Sequence, residues 1–215
     1  MKSIHFTNPH RRKHFDFFNG MNHPHFNITA NVDITQLLPY LKSNELPTSS
    51  SIVYLIAKAA NDIPEFRWRI RDGEVVEHQS VQPSFTVPTE ETDVFSFCTV
   101  AYTADARIFI ENAQKQIAAM GTNPSFEDEE HRDDYLFLSA FPWVSFTGMQ
   151  HAMHYHPCDS IPRISWGKFF EQDGKIWMPL SVQVHHAVVD GIHVGRYFQL
   201  MEQMAALPRN FLGAI

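Results

Sequence analysis

The sequence has few cysteines, few basic residues and no long apolar run. Cys98 and Cys158 are the only cysteines among 215 residues, which argues against a disulfide scaffold. Lysine and arginine number 17 against 24 acidic residues, for a formal charge of −7, so a general nucleic-acid binder is not expected. The most apolar stretch, 52–60, contains Lys58 and is too short to span a bilayer. Because no signal peptide is recognisable either, we expect a cytoplasmic protein without membrane partners.

The chain does contain ample material for one large core. Hydrophobic residues make up 44% of the sequence and phenylalanine alone occurs 18 times, and a chain of this length needs only one domain. Apolar residues at helical spacing predict three longer helices over 49–63, 105–120 and 190–204, and a short helix near 9–15. We therefore expect a single α/β domain over residues 1–215, built as a two-layer sandwich of a mixed β-sheet and packed helices.

Extended patterns supply the strands of that sheet. The predicted strands are 26–32, 66–70, 75–78, 84–87, 94–102, 136–139, 143–146, 163–170 and 176–184. Asp72-Gly73 predicts a hairpin turn between the second and third of them. The acidic stretch 123–134 predicts a connection with little core material, and Cys98 falls inside a strand pattern where a thiol normally packs in the core.

The most informative stretch is His185-His186-Ala-Val-Val-Asp190-Gly191, which follows a predicted strand and precedes a predicted helix. A loop at the end of a strand can hold a side chain on a rigid base and still leave it open to a ligand. Imidazole can accept and return a proton near neutral pH, and Gly191 permits backbone shapes that other residues resist. By themselves, paired histidines and an Asp-Gly turn also fit an ordinary strand-to-helix connection.

The longer string Gln183-Val-His-His-Ala-Val-Val-Asp-Gly-Ile-His-Val194 resembles the HHxxxDG signature of chloramphenicol acetyltransferases, which are trimeric CoA-dependent acyltransferases. Five further stretches are similar to the same family, in order and at similar spacing: 11–15, 65–75, 85–87, 139–146 and 175–180. The resemblance implies a CoA-dependent acyltransferase-like fold and a homotrimer with sites between subunits. It also implies direct acetyl transfer from acetyl-CoA to a hydroxyl of chloramphenicol or a related alcohol, with antibiotic resistance as the biological outcome.

The resemblance further implies roles for individual residues. His186 stands as the general base, Ser139 as the donor to the oxyanion, and Arg11 as the ion-pair partner of Asp190. On the CoA side, the matched positions are Lys168 for the phosphates, Phe169 for the adenine ring and Ser165 for a water near the intermediate. The acceptor site is matched by Phe18, Phe26, Thr86, Phe95, Met149 and His151. Without the resemblance, each of these would be interpreted as an ordinary strand or surface residue.

The acceptor positions depart from the family pattern, since Met149 and His151 replace a phenylalanine and a leucine. A different acceptor alcohol is therefore one alternative, because hydrogen bonding and shape decide which alcohol is accepted. A second alternative is a metal-binding module, in which four potential ligands within eight residues bind zinc or copper: His151, His154, His156 and Cys158. Their spacing does not match the usual zinc-finger patterns, and we expect acetyl-CoA as co-substrate and no metal.

Overall fold

The structure is a computed structural model that describes residues 1–89, 93–122, 124, 126, 129 and 132–213. Within these residues the helices are α1 (Pro9–Asn19), α2 (Leu37–Ser43), α3 (Thr48–Asp62), α4 (Ala106–Thr122), α5 (Gly191–Ala206) and α6 (Arg209–Leu212). The strands are β1 (Lys2–Ile4), β2 (His25–Asp33), β3 (Trp68–Arg71), β4 (Glu74–Glu77), β5 (Gln82–Pro88), β6 (Phe95–Thr99), β7 (Tyr135–Phe141), β8 (Arg163–Gly167), β9 (Phe170–Gln172) and β10 (Lys175–His185). No helix in the described ranges is long and apolar enough to cross a membrane.

The main sheet is mixed and has seven strands. Six of them follow the order β2-β10-β8-β7-β5-β6, and β9 pairs with the outer part of β10. The pairs β5–β7 and β7–β8 are parallel, whereas β10 runs antiparallel to β2, β8 and β9. A separate antiparallel sheet has the order β1-β4-β3. A mixed sheet with packed helices confirms the predicted fold class.

Helix α3 forms the centre of the helical layer. Ten of its fifteen residues are buried, so the helix is covered on nearly every side and packs against α4, α5 and β5. Burying each of its larger apolar side chains contributes roughly 1.5–3 kcal/mol. Two buried tyrosines tie the layer together, since the Tyr54 hydroxyl donates to Ala104 O (2.8 Å) and the Tyr197 hydroxyl donates to Ile56 O (3.2 Å).

Strand β10 fixes the position of the HHxxxDG motif. Every residue from Met178 to His185 is buried, because the strand lies between β2 and β8 and the helices cover one face of the sheet. The strand ends at His185 and α5 begins at Gly191. The predicted strand, turn and helix around the motif are therefore confirmed.

Four strand predictions were wrong in part or in full, and one of them, 94–102, is a strand only over Phe95–Thr99. The segment 143–146 is not a strand: Pro142 and Trp143 form a turn, and Trp143 is 75% exposed. This segment lies against the end of β8, where a Cβ on Gly167 would be only 2.9 Å from Val144 O. Pro64 starts a short 3₁₀ helix over Pro64–Arg67, so the strand predicted from residue 66 begins only at Trp68.

The strand predicted over 163–170 is interrupted where β8 ends, and β9 starts three residues later. At the break the backbone leaves β8: Lys168 N–H donates to Val144 O (2.9 Å), and the Ser145 hydroxyl donates to Lys168 O (2.7 Å). Residues 143–145 thus take up the hydrogen bonds that a continuing strand would have used. Half of the predicted connection 123–134 lies outside the described residues, namely 123, 125, 127, 128, 130 and 131.

Candidate active site

Backbone hydrogen bonds hold the loop that carries the histidine pair. His186 N–H donates to Pro24 O (2.8 Å), and the N–H groups of Val188 and Val189 donate to His185 O (3.2 and 3.0 Å). The Asp190 carboxylate accepts from Gly191 N–H (2.6 Å), and Nδ1 of His193 accepts from Asp190 N–H (2.9 Å). Asp190 is therefore the N-cap of α5, and the capping interactions fix the end of the loop that enters α5.

The imidazole of His186 is partly buried and is held between aromatic rings. It stacks on Phe18 with 3.8 Å between ring centroids and 16° between planes, and Phe26 lies 4.5 Å away at 47°. Its Nδ1 is buried and has no hydrogen-bond partner among the residues that the structure describes. Packing thus orients the ring, and the same two phenylalanines that the resemblance assigns to the acceptor surround it.

The direct ion pair predicted between Arg11 and Asp190 is not formed. The Arg11 guanidinium donates to Ala187 O (2.8 Å) and to Nδ1 of His14 (2.9 Å), while Nε2 of His14 lies 3.6 Å from Asp190 Oδ2. Because arginine can only donate, its bond fixes the proton of neutral His14 on Nε2, which faces the carboxylate. His14 therefore links the two groups. Burial lowers the pKa of Arg11, and the charges of Asp190 and Glu65 oppose that shift.

One group of three potential metal ligands occurs among the described residues: His14, His186 and Asp190, whose ligand atoms lie within 4.8 Å of one another. The guanidinium of Arg11 is bonded to the other nitrogen of His14, which places a positive charge beside the group and occupies the imidazole. A hydrogen-bond chain fits these contacts better than a site for a second cation.

The four residues of the predicted metal-binding module do not converge in the structure. Nε2 of His151 is 2.9 Å from Ser165 Oγ, whereas Cys158 Sγ lies 3.9 Å from His185 Nε2. The one ligand group within the described part of the chain contains none of the four. The metal-binding alternative is therefore not favoured.

Ser139 lines a cavity of about 650 Å³. Thr86, Phe95 and His151 line the same cavity, so three of the predicted acceptor residues share it with the predicted oxyanion donor. Ser139 Oγ is 3.3 Å from Thr86 Oγ1. Ser165 is the parallel-register neighbour of Ser139 on β8 and is fully buried.

The predicted site residues fall into two groups on one chain. The base group consists of His186, Asp190, Arg11, Phe18 and Phe26, and the oxyanion group consists of Ser139, Ser165, Thr86, Phe95 and His151. His186 is not among the described residues that line the Ser139 cavity. Met149 belongs to neither group; it lies with Phe26 in a second cavity of about 470 Å³.

The two predicted CoA residues lie just beyond β8. Lys168 is exposed, so its ammonium group is free to meet a phosphate. Phe169 is partly buried and packs against the core, which leaves only part of its ring for another partner. Cys98 is buried, and burial raises its pKa to about 11, as expected for a packing residue.

Sequence reasoning missed His14 and the buried pair His25 and His185. The signal for His14 was its position three residues after Arg11 on a predicted helix, which puts both on one face. The rings of His25 and His185 are 5.0 Å apart, and both residues are buried. Burial lowers the pKa of His25 to about 4 and that of His185 to about 3. No sequence pattern indicated that two histidines would be buried together.

Fold and motif place the chain among the CoA-dependent acyltransferases. A solved chloramphenicol acetyltransferase superposes with a TM-score of 0.84 at 25% identity, covering 94% of this chain and 98% of that one. A dihydrolipoamide acetyltransferase from Azotobacter vinelandii shares the fold, with a TM-score of 0.69 at 16% identity over 94% of this chain and 88% of that one.

The sequence comparisons are more specific. The family model for chloramphenicol acetyltransferase matches residues 1–202. A chloramphenicol acetyltransferase of a Klebsiella species is 36% identical over 196 residues, which is 90% of this chain and 89% of the relative. The chain belongs to the chloramphenicol acetyltransferase family. The predicted family, fold class and enzyme class, an acetyl-CoA-dependent O-acetyltransferase, are confirmed.

Proposed function

We propose that this protein transfers the acetyl group of acetyl-CoA to a hydroxyl of chloramphenicol or a closely related alcohol, with His186 as the general base. The observation that carries the proposal is the imidazole of His186, fixed at the end of β10 between Phe18 and Phe26 with its Nδ1 buried. A ring held in this way has one nitrogen left for proton transfer, which is the requirement for a general base.

The reaction proceeds by direct attack. His186 accepts the proton of the acceptor hydroxyl while its oxygen forms the C–O bond to the acetyl carbonyl, and the Ser139 hydroxyl donates to the resulting oxyanion. When the C–S bond breaks, the imidazolium returns the proton to the CoA thiolate. Ser165 would hold a water beside the intermediate, Lys168 would meet the CoA phosphates, and Phe169 would contact the adenine with the uncovered part of its ring.

The active protein is proposed to be a homotrimer with each site between two subunits. Support comes from the separation of the two groups on one chain, because a base that does not line the Ser139 cavity of its own chain needs a cavity supplied by another copy. Arg11, His14 and Asp190 would keep the motif loop in shape without contacting substrate. A cytoplasmic location fits a chain whose two cysteines are both free thiols.

The acceptor is proposed to lie against Phe18, Phe26 and Met149 from one subunit and Thr86, Phe95 and His151 from the next. Aromatic walls with a few polar groups are typical of sites for small molecules that carry a ring. His151 stands out among these six residues because it is the one that brings an imidazole to the acceptor. A related alcohol therefore remains the second candidate acceptor.

The experiment is release of free CoA from acetyl-CoA, measured with chloramphenicol and in parallel with a panel of other primary alcohols and amines. Replacing His186 with alanine is expected to lower kcat by about 10²–10⁴-fold with an unchanged circular dichroism spectrum. His156→Ala, which changes an exposed histidine, is the control and should retain wild-type turnover. Retained turnover in His186→Ala would refute the base assignment. Turnover with other alcohols but not with chloramphenicol would show that a different alcohol is the acceptor.

The biological outcome can be tested in living cells. A bacterial host that expresses the protein should grow at chloramphenicol concentrations that stop the same host carrying His186→Ala. Equal sensitivity of the two strains, at equal protein levels, would contradict a role in resistance even if acetyl transfer is measured in solution.

A further inference from the structure

His151 is held in the Ser139 cavity by two hydrogen bonds, one from its backbone and one at its ring. Its backbone N–H donates to Oε1 of Gln183 (3.0 Å), and its Nε2 is 2.9 Å from the hydroxyl oxygen of Ser165. Gln183 is only 2% exposed on β10, and its Nε2 also contacts Met153 Sδ at 3.3 Å. The loop segment around His151 is therefore clamped against the sheet, and its imidazole has a fixed position.

Ser165 depends on this contact for its orientation. The residue is fully buried, and it lies in register between Ser139 on β7 and Ser181 on β10, so the three side chains share one face of the sheet. The hydroxyl of Ser181 already accepts from Asn27 Nδ2 at 2.7 Å, and that of Ser139 is 3.3 Å from Thr86. Within the described residues, His151 is the one hydrogen-bond partner of the Ser165 hydroxyl.

A serine hydroxyl rotates freely about its C–O bond, and its proton points wherever a partner is available. A fixed imidazole nitrogen removes that freedom before substrate binds. Pre-organised dipoles beside a developing negative charge are worth more than dipoles that must turn during the reaction, because no reorganisation is needed in the transition state. Because Ser139 and Ser165 are adjacent, the Ser165 hydroxyl whose orientation is fixed lies next to the proposed oxyanion site.

We propose that His151 is a positioning residue for acetyl transfer, which fixes the hydroxyl of Ser165 beside Ser139. The inference rests on the proposed function, since it assigns a role in the same reaction. In this role His151 touches neither reacting atom and affects kcat through Ser165, whereas its place in the acceptor wall concerns binding of the alcohol.

The ring is neutral in this role. Burial is the main cause that lowers the pKa of His151 to about 4, and the charge of Arg163 adds to it. The guanidinium of Arg163 is bonded to both carboxylate oxygens of Asp159 (2.9 and 2.7 Å), so it does not compete for Ser165. A neutral imidazole has one donor and one acceptor nitrogen, which suffices to pair with a hydroxyl in either direction.

The test is a double-mutant cycle of His151 and Ser165, with kcat and KM measured for acetyl-CoA and chloramphenicol. His151→Leu is expected to lower kcat at least about tenfold and to change the KM for acetyl-CoA less than twofold. In the Ser165→Ala background the same substitution should have no further effect on kcat, because its target is already absent. His151→Gln, whose amide can reach the Ser165 hydroxyl, should recover kcat to within about threefold of wild type.

His156→Leu is the matched control on the same loop, since that histidine is exposed, and it should keep wild-type kcat. Independent effects of His151→Leu and Ser165→Ala, or equal losses in the glutamine and leucine variants, would overturn the inference. A kcat for His151→Leu within twofold of wild type would do the same. These outcomes are distinct from failure of the proposed function, in which the wild-type protein itself releases no CoA or His186→Ala remains active.

Discussion

At the scale of single residues, the buried histidines give the protein a marked sensitivity to acid. His25 and His185 are 7% and 1% exposed, and their rings meet edge to face. The charged or titratable groups around them are Cys158, Asp159, Arg163, His23 and His186. Burial is the main cause that lowers both pKa values, and the opposing attraction of Asp159 is smaller. Both rings are therefore neutral in the folded protein at neutral pH.

The sign of the pH effect follows from these lowered values. In the unfolded chain a histidine has a pKa near 6.5, so the unfolded state takes up protons first as the pH falls. Stability is complete above about pH 6.5 and is lost towards pH 4, by about 1.4 kcal/mol per pH unit for each histidine that remains neutral in the fold.

Urea unfolding at fixed protein concentration between pH 7 and pH 5 measures this dependence. His25→Phe keeps an aromatic ring of similar size. It should reduce the slope of the free energy of unfolding against pH by one proton, which is about 1.4 kcal/mol per pH unit. A wild-type free energy of unfolding that does not change over this range would contradict the assignment of buried neutral histidines.

The sequence predicted His186 as the base because a motif of fixed spacing carries it, and Ser139 as the oxyanion donor because the stretch 139–146 resembles the same family. It did not predict that His14 would stand between Arg11 and Asp190, since that contact depends on how α1 packs across the loop after β10. A motif fixes distances along the chain, whereas side-chain pairing between distant elements is decided by packing and by which donors each backbone carbonyl attracts. In this fold Ala187 O takes the Arg11 bond that the resemblance gave to Asp190.

At the scale of secondary structure elements, the start of α5 makes Asp190 a structural residue as well as a charged one. Its carboxylate accepts from Gly191 N–H at 2.6 Å, and its side chain is about half exposed. Replacing an N-cap aspartate with alanine costs about 1 kcal/mol, whereas asparagine caps about as well as aspartate.

Asp190→Ala is therefore expected to lower the free energy of unfolding by about 1 kcal/mol, and Asp190→Asn by less than about 0.5 kcal/mol. Chemical denaturation of the two variants beside wild type provides the measurement. Equal losses in both variants would show that the negative charge near His14, and not the cap, accounts for the stability of this loop.

Long elements were predicted more accurately than short ones. The three longer helices and the strand ending at His185 have many residues that follow one periodicity, so a local exception does not hide the pattern. The segment 143–146 is short and apolar, and its aromatic and β-branched residues indicated a strand. Pro142 and the close approach of Gly167 to Val144 O turn it away from the sheet instead, and tertiary contacts of this kind cannot be recognised within four residues of sequence.

At the scale of the whole molecule, the positions of the base group and the oxyanion group indicate that one copy does not form a complete site. His186 is not among the described residues that line the Ser139 cavity, and both are needed for one turnover under the proposed mechanism. In a closed ring of three identical subunits every interface is the same, so in the proposed trimer each interface would join the base group of one copy to the oxyanion group of the next.

This arrangement predicts that two inactive variants restore each other. His186→Ala supplies an intact oxyanion group and Ser139→Ala supplies an intact base group. When equal amounts are unfolded together and refolded, subunits mix at random, and about a quarter of the interfaces combine His186 from one variant with Ser139 from the other. We expect about a quarter of wild-type CoA release from the mixture, and near-background rates when each variant is refolded alone.

The mixture also distinguishes a shared site from a site within one chain. If His186 and Ser139 of the same subunit acted together, every subunit would lack one of the two and mixing would restore nothing. Light scattering during size-exclusion chromatography supplies the assembly state of the same samples. A trimer without restored activity would keep the assembly and place the site inside each subunit, whereas an active monomer would contradict the proposed arrangement altogether.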